Sequence, residues 1–172
     1  MRTDYIDRQE FEHVLSALTP QNRLVMAVAI QTGLRVGDVL NLRSSPLRAA
    51  TARRITVQEL KTGKRRRLTL PAELYDRMLS NAGKIYVFPH RLDWRRHRTR
   101  QAVWKDIKRA SKAFRVKLNI APHSARKTWA VAEFRKDGSI AKVQEKLNHS
   151  SSTVTAVYAL ADQLTARKYP RP

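Results

Sequence analysis

Residues 19 to 33, "TPQNRLVMAVAIQTG", constrain the fold of this chain more than any other stretch. Thr19 stands where an N-cap belongs, Pro20 at the first helical position and Gly33 where a helix stops, so the segment reads as one helix with both ends marked. Between those marks the centre of the segment is apolar nearly all round. A helix without a polar face cannot lie on a surface, because its exposed apolar area would stay in contact with water. The rest of the chain must wrap around it, and the helix is expected deep in the core.

Segments able to do the wrapping lie on both sides. "DRQEFEHVLSALT" opens with Asp7 three residues ahead of Glu10, a capping-box arrangement, and carries Phe11, Val14, Leu15 and Leu18 on one face. A short turn, "VGDVLNLR", follows the central helix. From Arg53 the pattern changes: "RRITVQELKTGKRRRLTLP" holds two runs rich in Ile, Val, Thr and Leu about a Thr62-Gly63 break, which predicts a β-hairpin closed at Pro71. "PAELYDRMLSNAG" and "TRQAVWKDIKRASKAF" predict two more helices, the second with Val103, Ile107, Ala110 and Phe114 on its apolar face. Helices around 124–136, 139–147 and 151–160 complete the chain; in the last, Val154, Val157 and Leu160 are the expected anchors. The expected fold is mainly α with a small antiparallel β-hairpin (α+β), and 172 residues suit one domain with one core.

Charge narrows the partner. Lysine and arginine number 35 against 14 acidic residues, a formal charge of +21. Such a balance calls for a polyanion, and nucleic acid, an anionic membrane or an acidic protein would each satisfy it. No run of 18 apolar residues, basic-then-apolar leader or lipidation motif occurs, so a membrane is not expected. Cysteine is absent, which removes disulfides and thiolate metal sites. "RLDWRRHRTR", residues 91 to 100, places Arg91, Arg95, Arg96, Arg98 and Arg100 beside Trp94. It suits a solvated loop, and equally a loop that follows a phosphate backbone.

The chemistry of hydrolytic enzymes is missing from the sequence. No Asp-x-Asp pair, His-Glu-x-x-His or Gly-x-Ser-x-Gly occurs, so neither metal-bound carboxylates nor a serine elbow is expected, and no cofactor or metal. What occurs instead is cationic. Arg35 precedes Asp38 by about one helical turn; Lys61 sits at the lip of the hairpin; His123 and Arg126 share one face of a helix start. His149 stands nine residues before Tyr158 in "LNHSSSTVTAVYAL". Each of these alone has an ordinary structural explanation: an ion pair, a solvated lysine, a capping histidine, a core tyrosine.

Taken together, in this order, they resemble the tyrosine recombinases, or phage integrases. The resemblance runs from about residue 8 to 160 through Arg35 in "TGLRVGD", Lys61 in "KTGK", His123-x-x-Arg126 and the His149 to Tyr158 interval. It implies that Tyr158 attacks a DNA phosphodiester, leaving a 3′-phosphotyrosine and a free 5′-hydroxyl, without metal. Arg35 and Arg126 would clamp the non-bridging oxygens, where planar guanidinium forks suit the developing charge. A tyrosine of reference pKa ~10 is only about one part in a thousand ionised at neutral pH, a deficit of roughly 4 kcal/mol. His123 is the implied base, Lys61 the acid for the leaving oxygen, His149 a hydrogen bond to phosphate, and Asp38 the residue that orients Arg35. Lys64 rivals Lys61, and Tyr169 rivals Tyr158, by composition alone.

The chain departs from the family pattern at Asn148, where glycine is usual, at Ala125, where leucine is frequent, and at Lys127, where a second histidine is frequent. Asn is the residue after glycine that best tolerates a left-handed turn, so the local geometry is expected to survive. The resemblance further implies one catalytic domain over 1–172, with a core at about 8–160, a tail at 161–172 and no N-terminal core-binding domain. Implied partners are double-stranded DNA and other protomers, a tetramer in the full synapse and a monomer in isolation, in a bacterial or phage-encoded cytoplasmic setting. The tail either exchanges with a neighbouring protomer or frays. Alternatives are a nicking and resealing or resolving enzyme that uses the same residues, and a non-catalytic basic DNA-binding relative.

Overall fold

The apolar segment forms the central helix. In the computed structural model, which describes residues 3–169, α2 (Pro20–Thr32) buries Leu24, Val25, Met26, Val28, Ala29 and Ile30. Each buried leucine, valine or isoleucine contributes roughly 1.5–3 kcal/mol relative to its exposed state, so this helix anchors the core. Around it pack α1 (Arg8–Ser16), α3 (Val36–Leu40), α5 (Ala72–Asn81), α6 (Arg100–Ala113) and α7 (Pro122–Asp137). Gly33 ends α2 in the left-handed conformation, φ 67°, and a Cβ there would meet the Trp129 ring at 2.5 Å. Backbone and ring together leave room for glycine alone.

Two helix starts differ from the sequence expectation in detail. Asp7 caps α1 by accepting from the Gln9 N–H at 2.9 Å, without a reciprocal bond from Glu10. Thr19 makes no side-chain cap; its N–H and hydroxyl both donate to Asp106 Oδ2 at 2.9 Å, which ties the start of α2 to α6. Val103, Ile107 and Ala110 of α6 are buried as predicted, while Phe114 lies beyond the helix end, partly exposed against the His13 ring. A short helix at Ser44–Arg48, α4, forms where the sequence shows no apolar period to predict it.

The hairpin pairs β1 (Arg54–Gln58) with β2 (Arg65–Thr69), antiparallel, Arg54 opposite Thr69 and Gln58 opposite Arg65. Ile55 and Val57 point inward. An isolated two-stranded hairpin is only marginally stable; this one is also held by Arg66, whose guanidinium donates to the Thr32 carbonyl at 2.6 Å. Residues 59–64 form its loop, with Gly63 at φ 67°.

A second, small apolar cluster joins α7 to α8 (Ile140–Leu147) and α9 (Ser152–Ala159): Ala130, Val143 and Leu147, with Trp129, Phe134 and Tyr158 against them. The seam between this cluster and the main core holds the candidate site. Beyond it, α10 (Ala161–Lys168) is helical and docks on its own chain. Thr165 Oγ1 accepts from the Tyr5 N–H at 2.9 Å, Asp162 pairs with Arg135 at 2.6 Å and Lys168 with Asp4 at 3.0 Å. The tail expected to exchange or fray therefore has partners in cis; its last residues, 170–172, lie outside the described residues. No helix among the described residues is long and apolar enough to cross a membrane.

Candidate active site

Arg35, Asp38, Lys61, His123, Arg126, His149 and Tyr158 line one open cleft of about 1050 Å³. They arrive from separate elements: the α2–α3 turn, the hairpin loop, the first turns of α7, the α8–α9 junction and α9. Lys64 and Tyr169 do not line it, so of each rival pair the cleft receives Lys61 and Tyr158.

Arg126 is 1% exposed, and the fold explains how a buried cation is tolerated. Its Nη1 donates to the Gly33 carbonyl at 2.5 Å and its Nη2 to the Leu147 carbonyl at 2.7 Å. Those carbonyls belong to the C-terminal ends of α2 and α8, where backbone acceptors are unpaired and the helix dipole is negative. Two helix ends thus converge on one guanidinium. Burial, then the charge of Arg35, push its pKa down to about 10, and it stays cationic at neutral pH. Its Nε is buried with no hydrogen-bond partner.

Arg35 follows the Gly33 stop and is the N-cap residue of α3. Its nearest carboxylate is Glu59 Oε2 at 2.5 Å, while Asp38 Oδ2 lies at 4.0 Å. Asp38 instead accepts the Leu60 N–H at 2.9 Å and holds the base of the hairpin loop. The orienting contact expected of Asp38 is therefore made mainly by Glu59. Glu59, the first residue after β1, continues the inward alternation of Ile55 and Val57, and a carboxylate at that next inward position is a signal the sequence did contain.

His149 follows Asn148, the left-handed C-cap of α8 at φ 52°. Arg126 Nη2 donates to its Nε2 at 3.1 Å, so Nε2 is unprotonated and Nδ1–H donates to Thr155 Oγ1 at 3.2 Å. Burial, then Arg126 and Arg35, push its pKa down to about 4. The ring is neutral, and both of its nitrogens are engaged within the protein. An unfolded histidine titrates near 6.5. As the pH falls, protons bind the unfolded chain first, so this contribution is full above about 6.5, declines below it and levels off near 4. Between pH 7 and 5 we expect a stability loss on the order of 1–2 kcal/mol from this ring, discounted for its partial solvent contact. His149→Asn is expected to shallow that slope in thermal melts, and equal slopes contradict the assignment. His123, also shifted down, contributes in the same direction.

Tyr158 extends from α9 with its hydroxyl 3.4 Å from His123 Nδ1. Its ring edge meets His149, centroids 5.2 Å apart, and its body rests on the small apolar cluster. The predicted anchors of α9 are redistributed: Thr155 and Ala159 are buried, whereas Val154 is exposed and lines the cleft. Thr155 is buried because its hydroxyl serves His149 and donates to the Ser151 carbonyl. His123 is exposed at the cleft, and partial desolvation by the protein around it, then the charges of Arg126 and Arg35, lower its pKa and keep it free to accept a proton.

Of the basic loop, Arg91, Arg95 and Arg96 face solvent, and Arg100 starts α6 and lines the cleft with Gln101 and Trp104. Arg98 is different from the reading that grouped it with them. Its guanidinium donates to Asn22 Oδ1 and to Gln21 Oε1, the latter at 2.8 Å, and so anchors the loop to α2. Trp94 carries Lys84 and Arg95 over its ring, at 4.8 and 5.5 Å.

Comparison with known proteins follows the same lines. The chain is 28% identical over 170 residues to a tyrosine recombinase of Thermosipho africanus, covering 93% of this chain and 58% of that protein. It is 26% identical over 157 residues to the integrase of Escherichia phage P2, covering 91% of this chain and 43% of that one. The chain thus spans about half the length of these relatives. Among solved structures, a lambda integrase dimer bound to a COC′ core site superposes with a TM-score of 0.75 at 22% identity, over 92% of this chain and 48% of that one. The catalytic domain of bacteriophage HP1 integrase gives 0.64 at 20% identity, over 98% and 96%. The profile of the phage integrase family matches residues 4–164, nearly the whole of the fold that builds the cleft, and the chain belongs to that family.

Proposed function

We propose that this chain is the catalytic domain of a site-specific DNA recombinase that cuts and rejoins duplex DNA through a 3′-phosphotyrosine on Tyr158. One observation carries the reading: the Tyr158 hydroxyl lies 3.4 Å from His123 Nδ1, in the cleft that also receives Arg35, Arg126 and Lys61. In the forward step the phenolic oxygen attacks phosphorus, its proton passes to His123, the P–O5′ bond breaks and Lys61 protonates the leaving oxygen. A 5′-hydroxyl reverses the step, so bonds and protons balance. The site's own cations supply the charge stabilisation: Arg35 and Arg126 face the non-bridging oxygens. His149 joins them as a donor once phosphate draws Arg126 away and the ring takes up a proton or shifts its tautomer. Arg91, Arg95, Arg96, Arg100 and Lys64 follow the phosphate backbone, with affinity that falls steeply as salt rises.

The relatives named as integrase and tyrosine recombinase support strand exchange over simple nicking and resealing, and the complete cleft argues against a non-catalytic relative. Double-stranded DNA is the partner, with further protomers added on it up to a tetramer. The docked α10 favours a monomer in isolation. The setting is the bacterial cytoplasm, where the DNA lies. To test the reading, duplexes bound from a randomised pool would be resynthesised with a nick near the cleavage position and incubated with the protein in EDTA. A detergent-resistant protein–DNA adduct supports it; no adduct, or one that needs a divalent metal, overturns it.

A further inference from the structure

Glu59, the first residue of the hairpin loop, is fully buried and charged where an apolar residue would cost far less. Both of its oxygens are matched: Oε2 meets Arg35 at 2.5 Å, and Oε1 accepts from the Asn148 side-chain amide at 3.0 Å. Asn148 sits at φ 52°, ψ 35°, where glycine would serve the backbone without strain. Its side chain is therefore retained for what the amide does, and the amide goes to Glu59.

The loop that carries Lys61 turns on this same residue. The Glu59 N–H donates to the Lys64 carbonyl at 2.9 Å, and the Glu59 carbonyl accepts from the Gly63 N–H at 2.8 Å. The Leu60 N–H is moored to Asp38. Lys61 itself is exposed and enters no hydrogen bond or ion pair among the described residues, so its reach is set by where the loop's base is held.

We infer that Glu59 and Asn148 form a strap that registers the Lys61 loop against the His149 turn, making both of them positioning residues for protonation of the leaving 5′-oxygen. The inference rests on the proposed strand-cleavage reaction and on Lys61 as its acid. It adds that a chain with Asn148 in place of the family's usual glycine sets its acid through this side chain.

The test uses nicked duplexes of the selected sequence, made either with the normal phosphodiester or with sulfur as the bridging 5′ atom at the cleavage position. A thiolate leaves without needing a proton, so a defect confined to the acid disappears on the sulfur substrate. Lys61→Ala is expected to slow cleavage of the oxygen substrate by about 10²–10⁴-fold and to recover on sulfur. Asn148→Gly, which keeps the turn, is expected to slow it about 10-fold, and Asn148→Asp, which faces Glu59 with a like charge, about 100-fold; both should come within about 3-fold of wild type on sulfur. Thermal melts verify that each variant folds. If the Asn148 variants are equally slow on both substrates, or match wild type on both, while Lys61→Ala recovers, the strap is overturned and the reaction stands. If Lys61→Ala does not recover, Lys61 is not the acid and the strap inference falls with that part of the reading.

Discussion

Tyr158→Phe is expected to bind DNA as the wild type does and to form no covalent adduct. Phenylalanine keeps the ring that packs on Ala130, Val143 and Leu147 and meets His149 edge-on. The hydroxyl it removes makes one hydrogen bond among the described residues, to His123 Nδ1 at 3.4 Å, on the open side of the cleft. Loss of such a bond changes stability by about 1 kcal/mol or less. Adduct formation should fall by at least about 10⁴-fold, since no group left in the cleft is both nucleophilic and placed like the phenol. Gel assay of detergent-resistant adducts, beside a melting curve and a binding isotherm, separates the three quantities.

Arg126→Ala should damage both chemistry and fold, and in a recognisable ratio. The guanidinium stabilises the developing phosphorane charge, worth about 10²–10³ for one lost donor and more for a fork. It also satisfies the Gly33 and Leu147 carbonyls and the His149 ring. Leaving those acceptors buried and unmatched costs roughly 1–3 kcal/mol each before relaxation, so a fall in melting temperature of several degrees accompanies the loss of rate. Arg126→Lys retains the charge but cannot span two helix ends and a phosphate at once. It is expected to regain part of the stability while remaining at least about 10²-fold slow in single-turnover cleavage. A lysine variant as fast as wild type would mean that Arg126 is structural alone.

The buried helix, the hairpin and the order of Arg35, Lys61, His123, Arg126, His149 and Tyr158 are local patterns, and periodicity or spacing exposes them. Glu59 was hidden because its meaning is tertiary. It follows β1 at the next inward position, and only the fold shows that Arg35 and Asn148 wait there. Arg98 was misgrouped for the converse reason: in the row of arginines nothing marks the one whose partners, Asn22 and Gln21, come from a distant helix. The i, i+3 spacing of Asp38 suggests an ion pair, yet its Oδ1 accepts a backbone N–H of the hairpin, while its Oδ2 stays 4.0 Å from the Arg35 guanidinium, too far for a hydrogen bond. Nothing local in the tail shows where α10 docks, since its partners Asp4, Tyr5 and Arg135 lie far along the chain.

The central claim is that separated cations converge on the Tyr158 hydroxyl to make it the nucleophile. The adduct formed on a nicked duplex in EDTA can be digested with protease and nuclease, and the peptide that keeps a nucleotide remnant sequenced by mass spectrometry. The account predicts the remnant on Tyr158, within the peptide of α9. A remnant on Tyr169 or on any other residue, or a nucleotide-bearing peptide that persists in Tyr158→Phe, would contradict it.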